Sequence, residues 1–132
     1  GMKQALLLDD NTAQLTVREL VLRQAQIQSH VATQGHSALA LLRSEPGRER
    51  IGVVVTDHFM PDMDGVEFVR QLREFNRDVP VIVISGQPGA DSEYDGLNVV
   101  FRNKPCEPED LISLVKTALD DSQNDSRGKA SA

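Results

Sequence analysis

The chain has 132 residues, with 20 acidic side chains against 14 basic ones and a formal net charge of -6 at pH 7. That length suits one domain around a single core, and the acidic balance excludes a sequence-independent grip on nucleic acid or anionic lipid, which needs a positive field over the binding surface. A lone Cys106 excludes an internal disulfide framework and a multi-Cys zinc site, and with no apolar run approaching the roughly 18 residues of a membrane span, the expected location is the reducing cytosol.

Gly1 ahead of Met2 reads as a residue left by tag removal, and Met2 as a native start close to the first strand. Ala5-Leu6-Leu7-Leu8 is a short continuous apolar run, the mark of a strand covered on both faces. Residues 12 to 26 follow with helical spacing: Leu15, Arg18-Glu19 and Leu22, with Val17, Leu20 and Val21, make an amphipathic helix capped by Asn11 or Thr12. Ile27 to Thr33 is a weaker strand, and Ala38, Leu39, Leu41 and Leu42 mark a second helix. Val53-Val54-Val55 is the third strand, and Val66, Phe68, Val69, Leu72 and Phe75 place a third helix over about 64 to 76. Val81-Ile82-Val83-Ile84 is the fourth strand. The next stretch, 86 to 97, carries Gly86, Pro88, Gly89 and Gly96 and no apolar stripe, so the fourth helix is expected to be short or irregular. Asn98 to Phe101 is a weak fifth strand, and Leu111, Ile112, Leu114, Val115 and Leu119 form the last helix. The polar segment 121–132 is expected to be a disordered tail, which leaves 3–120 as the domain.

Strands alternating with helices imply right-handed crossovers and a doubly wound parallel sheet with helices on both faces. In such a sheet ligands sit beyond the carboxyl ends of the strands. Asp9 and Asp10 follow the first strand, Asp57 the third, Ser85 the fourth, and Lys104-Pro105 the fifth. Three carboxylates on one edge repel one another and raise one another's pKa values. A hard divalent cation relieves that cost, and Mg²⁺ is suited by carboxylates, a carbonyl and water. An aspartate beside such a cation, with a hydroxyl and an ammonium group to hold further oxygens, makes a phosphoryl-accepting site.

Asp9-Asp10 after an aliphatic strand, Asp57 followed by Met60-Pro61-Asp62-Met63-Asp64-Gly65, Ser85, and Lys104-Pro105 together resemble the receiver domain of two-component response regulators. The resemblance spans roughly residues 3 to 120, with all five signature positions filled in order. It implies a flavodoxin-like sheet of strand order 2-1-3-4-5. It also implies that Asp57 is the phosphoacceptor, served by a histidine kinase or a histidine phosphotransfer protein. Asp10, Asp57 and the backbone carbonyl of Phe59 would be the protein ligands of Mg²⁺ or Mn²⁺, with Asp9 acting mainly through water. Ser85 and Lys104 would hold phosphoryl oxygens, Ser85 and Phe101 would switch conformation, and the Lys104-Pro105 bond would be cis. Such a domain assists its own phosphorylation and dephosphorylation without being a turnover enzyme. Its output would be binding to a downstream protein effector, as a monomer or a weak phosphorylation-linked dimer.

Three positions depart from the family pattern. Ser85 stands where Thr is commoner, Phe59 replaces a frequently polar side chain two residues after the acceptor and is expected to slow acyl-phosphate hydrolysis, and the interval from Ser85 to Lys104 is short. Asp62 and Asp64 read as loop and helix-start residues, with Gly65 permitting the tight loop. His30 and His36 lie far from the expected edge, His58 reads as a bystander beside Asp57, and Cys106 as a small packing residue. A terminal receiver of a hybrid histidine kinase, which shares a Ser85-to-Gly89-like stretch, is the nearest alternative. A Mg²⁺-dependent aspartyl-phosphate phosphatase is opposed by Asp9-Asp10-Asn11-Thr12, which does not supply the Asp-x-Asp such enzymes carry after the first strand, and by the absence of a cap domain, and a phosphorylation-independent scaffold by the complete signature.

Overall fold

In strand β1 (Gln4–Leu8), Ala5 and Leu7 point to one face and Leu6 and Leu8 to the other, and all four are buried. A strand with both faces buried must lie in the middle of a sheet covered on both sides. The computed structural model, which describes the backbone of residues 2–131 and the side chains of residues 2–122, shows this arrangement. Strands β1, β2 (Ser29–Ala32), β3 (Ile51–Asp57), β4 (Val81–Ser85) and β5 (Val100–Asn103) form one sheet in the order β2-β1-β3-β4-β5. Every neighbouring pair is parallel. This is the flavodoxin-like order expected above.

Helices α1 (Thr12–Gln24) and α5 (Pro108–Ser131) cover one face. There Leu15 and Leu22 of α1 and Leu111, Val115 and Leu119 of α5 pack on Ala5, Leu7, Val53, Val55, Ile82 and Ile84. Helices α2 (Gly35–Arg43) and α4 (Gly65–Phe75) cover the other face, where Ala38, Leu39, Leu42, Val66, Phe68, Val69 and Leu72 meet Leu6, Leu8, Val54 and Val83. The two cores are separated only by the sheet, so the strand ends are held in a fixed relation to one another.

Several elements differ from the sequence expectation. A short helix α3 (Glu45–Arg50) precedes β3; its sequence has no apolar stripe, and it forms on the Ser44 hydroxyl, which accepts from the Gly47 N–H at 3.1 Å. Helix α1 stops at Gln24 and not at residue 26, because Gln26 takes a left-handed φ of 64° and Ile27 N–H closes back on the Leu22 carbonyl. Val17 and Leu20, counted with the amphipathic set of that helix, are exposed, and its buried stripe is Leu15, Arg18 and Leu22. Strand β5 begins at Val100, since Asn98 has a φ of 56° that extended backbone cannot accommodate. The fourth crossover holds a single 3₁₀ turn, Ala90–Tyr94, in keeping with the expected irregular helix, but its Tyr94 is buried in the core. Helix α5 continues to Ser131 across the segment expected to be a disordered tail, as propagation from an already packed helix adds one hydrogen bond per residue. Side chains from 123 onward, together with Gly1 and Ala132, lie outside the described residues.

Candidate functional site at the carboxyl edge of the sheet

Because β1, β3, β4 and β5 run the same way, the residues that follow them emerge at one edge. The backbone ties these ends together: Asp9 N–H donates to the Ala32 carbonyl at 3.2 Å, His58 N–H to the Ile84 carbonyl at 3.1 Å, and Lys104 N–H to the Ser85 carbonyl at 2.7 Å. The sheet thus brings together the five signature side chains from four separate stretches of chain. The Lys104-Pro105 bond is cis, as the resemblance implied.

Asp9, Asp10 and Asp57 each offer one carboxylate oxygen, and the three oxygens lie within 4.8 Å of one another. Asp9 is 1% exposed and Asp57 7%, whereas Asp10 is exposed. Burial holds the Asp9 carboxyl above the usual carboxylate range, the Asn11 N–H opposes that, Asp57 raises it further, and Arg18 and Lys104 pull it down. Two cations face the acids. Lys104 Nζ is 3.1 Å from Asp57 Oδ1, and Arg18 Nη1 is 3.2 Å from Asp9 Oδ2, while Asp9 Oδ1 accepts from Asn11 N–H at 3.0 Å. An all-oxygen set of three converging carboxylates, one of them destabilised as an anion chiefly by burial, has the donor chemistry that suits Mg²⁺ or Mn²⁺.

Ser85 is buried at the end of β4, and its Oγ accepts from Gln87 N–H at 2.9 Å. In this state the hydroxyl caps its own loop. Phe101 is half-buried, with its ring 5.8 Å from that of Tyr94. Phe59 follows Asp57 by two positions and is 73% exposed. Asp64 caps α4, accepting from Glu67 N–H at 2.9 Å, and Asp62 lies in the exposed loop before it. Gly65 is required by close approach more than by loop conformation: a Cβ there would sit 2.3 Å from the Tyr94 hydroxyl oxygen and 3.0 Å from the Asp57 carbonyl.

Sequence reasoning overlooked two features beside this edge. Arg18, read as part of an amphipathic helix, is buried and paired with Asp9; the available signal was a charged residue midway along the Leu15 and Leu22 stripe. His58, read as a bystander, is buried, with Nδ1 2.7 Å from the Tyr94 hydroxyl and Nε2 3.5 Å from Glu93 Oε2. A single aromatic in the Gly-rich 86 to 97 segment was the only hint of this partner. His30 and His36 are exposed, on β2 and α2. Half-buried Cys106 packs against the α1 and α5 core, and burial, then Asp110, pushes its thiol up.

The family model described as "Response regulator receiver domain" matches residues 5–116. The chain is 28% identical over 132 residues to the two-component response regulator ORR5 of Oryza sativa subsp. japonica, covering 90% of each. It is 31% identical over 120 residues to the response regulator MprA of Mycolicibacterium vanbaalenii, covering 86% of this chain but 49% of that protein. Among solved structures, a CheY-like receiver domain protein from Methanospirillum hungatei JF-1 superposes with a TM-score of 0.84 at 22% identity, covering 95% of this chain and 99% of that one. Vibrio cholerae CheY4 gives 0.79 at 25% identity, covering 90% and 100%. Among the described residues, no helix is long and apolar enough to cross a membrane.

Proposed function

Since the chain belongs to the response regulator receiver domain family of two-component systems, we propose that Asp57 accepts a phosphoryl group from a phosphohistidine and that the acyl phosphate switches the binding of a partner protein. The observation that carries this reading is the convergence of Asp57 with Lys104 at 3.1 Å and with Asp9 and Asp10 inside 4.8 Å, at the strand ends. An oxygen of the Asp57 carboxylate attacks phosphorus in line; the new O–P bond forms as the N–P bond of the donor histidine breaks, and the departing imidazole nitrogen takes a proton from solvent.

Asp9, Asp10, Asp57 and the Phe59 backbone carbonyl would hold Mg²⁺ or Mn²⁺, Asp9 mainly through water. When bound, that cation neutralises charge on the phosphoryl oxygens. Lys104, already on Asp57, moves its ammonium group to one phosphoryl oxygen. Ser85 exchanges its bond with Gln87 for a second phosphoryl oxygen, and Phe101 moves into the space the hydroxyl vacates, which remodels the surface around β5. The domain promotes its own phosphorylation and hydrolysis in this way, but turns over no separate substrate. A cytoplasmic histidine kinase or histidine phosphotransfer protein is the donor, and a downstream protein is the effector.

Intact-mass measurement after incubation with acetyl phosphate and Mg²⁺ tests the reading. Wild type is expected to gain one phosphoryl mass and Asp57→Asn none. An unmodified wild type would indicate a phosphorylation-independent scaffold.

A further inference from the structure

Arg18 occupies the central position of the buried stripe of α1, between Leu15 and Leu22, where an aliphatic side chain would complete the core beneath β1 and β3. Its side chain is 10% exposed and that of Asp9 1%, with Nη1 to Oδ2 at 3.2 Å. A buried ion pair of this kind rarely improves on a well-packed aliphatic residue, because both charges lose hydration. Its distinctive effect is electrostatic: it places a permanent positive charge against one of the three clustered carboxylates. Lys104 faces Asp57 from the other side of the cluster. Three carboxylates therefore meet two fixed cations before any metal arrives.

We propose that Arg18 is a positioning residue that holds Asp9 by its Oδ2 and weakens the affinity of the acidic cluster for a divalent cation. This rests on the reading of Asp9, Asp10 and Asp57 as a cation site. The guanidinium repels an entering cation and competes with it for Asp9, whose other oxygen is already engaged by the Asn11 N–H. Without a metal, the same charge keeps the cluster from repelling itself apart. The site consequently fills over a higher concentration range than three unpartnered carboxylates would allow, and phosphoryl acceptance follows free Mg²⁺.

The test is binding of Mn²⁺ alone, followed by electron paramagnetic resonance of the free ion, to wild type, Arg18→Leu, Arg18→Gln and Arg18→Lys. Thermal scans in chelator and in Mn²⁺ accompany it. Arg18→Leu and Arg18→Gln are expected to bind Mn²⁺ about tenfold more tightly, as removal of a unit charge from a partly buried site implies. Both variants should also show a wider gap between melting temperatures with and without Mn²⁺, and Arg18→Lys should stay near wild type. Equal or weaker binding by both neutral variants would overturn the role of Arg18 while leaving the cation site standing. If neither wild type nor the variants bind Mn²⁺, the cation-site reading itself fails, and this inference with it.

Discussion

The Tyr94 hydroxyl lies 2.7 Å from His58 Nδ1, which joins the 3₁₀ turn of the fourth crossover to the residue next to Asp57. The two rings meet edge to face, with centroids 5.6 Å apart. Glu93 stands 3.5 Å from His58 Nε2, so in the neutral ring Nε2 carries the proton toward that carboxylate and Nδ1 accepts the Tyr94 O–H. The Tyr94 ring also touches Phe101. One aromatic thus bridges the loop after β3 and strand β5, which carries Phe101.

Tyr94→Phe keeps the ring and removes the hydrogen bond, leaving a buried imidazole nitrogen without its partner. We expect a loss of about 1–2 kcal/mol, read as a lower urea midpoint at unchanged slope. An unchanged midpoint would mean that the contact does not hold the turn in solution.

Gly65→Ala adds a methyl group against the Tyr94 hydroxyl and the Asp57 carbonyl. It should cost about 1–3 kcal/mol. Part of that cost should disappear in the Gly65→Ala, Tyr94→Phe double variant, because the nearest clashing atom is gone. A strictly additive double-mutant cycle would show that the backbone, not the hydroxyl, sets the clash.

Burial, then the nearby Asp64, Glu93 and Asp57 charges, hold the Tyr94 phenol well above its ordinary range. The folded chain therefore keeps this proton where the unfolded chain releases it, and stability falls as pH rises past about 10, the ordinary tyrosine value. With one tyrosine and no tryptophan, absorbance at 295 nm reports Tyr94 alone. It should stay flat through pH 10 in buffer and titrate normally in concentrated urea. A tyrosinate signal from folded protein near pH 10 would contradict the burial.

Arg73 near the end of α4 donates to four carbonyls: Nε to Leu97 at 2.9 Å, Nη1 to Val79 at 2.8 Å and Asn76 at 3.2 Å, and Nη2 to Asn98 at 2.8 Å. It closes the turns that lead into β4 and β5. Arg73→Gln should destabilise by about 2–4 kcal/mol, and Arg73→Lys by nearly as much, since a single ammonium cannot reproduce the planar fork. Denaturation midpoints measure both, and a loss well under 1 kcal/mol for Arg73→Gln would show that water replaces the fork.

Phe59 is 73% exposed and two residues from Asp57, where its ring presents no group able to orient an attacking water. The acyl phosphate of Phe59→Asn should hydrolyse roughly tenfold faster than that of wild type, below the effect of a fully positioned general base. Decay of the phosphoryl mass after removal of acetyl phosphate measures this. Equal half-lives would show that Phe59 does not protect the bond.

Continuous apolar runs such as Val53-Val54-Val55 and Val81 to Ile84 determined the parallel sheet, because only a strand buried on both faces carries them. The acids and the lysine at the strand ends determined which edge bears the site, since parallel strands deliver their carboxyl ends to one side. Those statements needed only local pattern and chain order. Tertiary structure decided the partners. Arg18 on Asp9, Tyr94 on His58 and Arg73 on four carbonyls join residues whose spacing carries no period, and helix α3 forms on a Ser44 cap without an apolar stripe. Hydrophobic patterning repeats along a chain and can be read from it, whereas an ion pair or hydrogen bond between distant segments is fixed only when packing places a donor and an acceptor within about 3 Å.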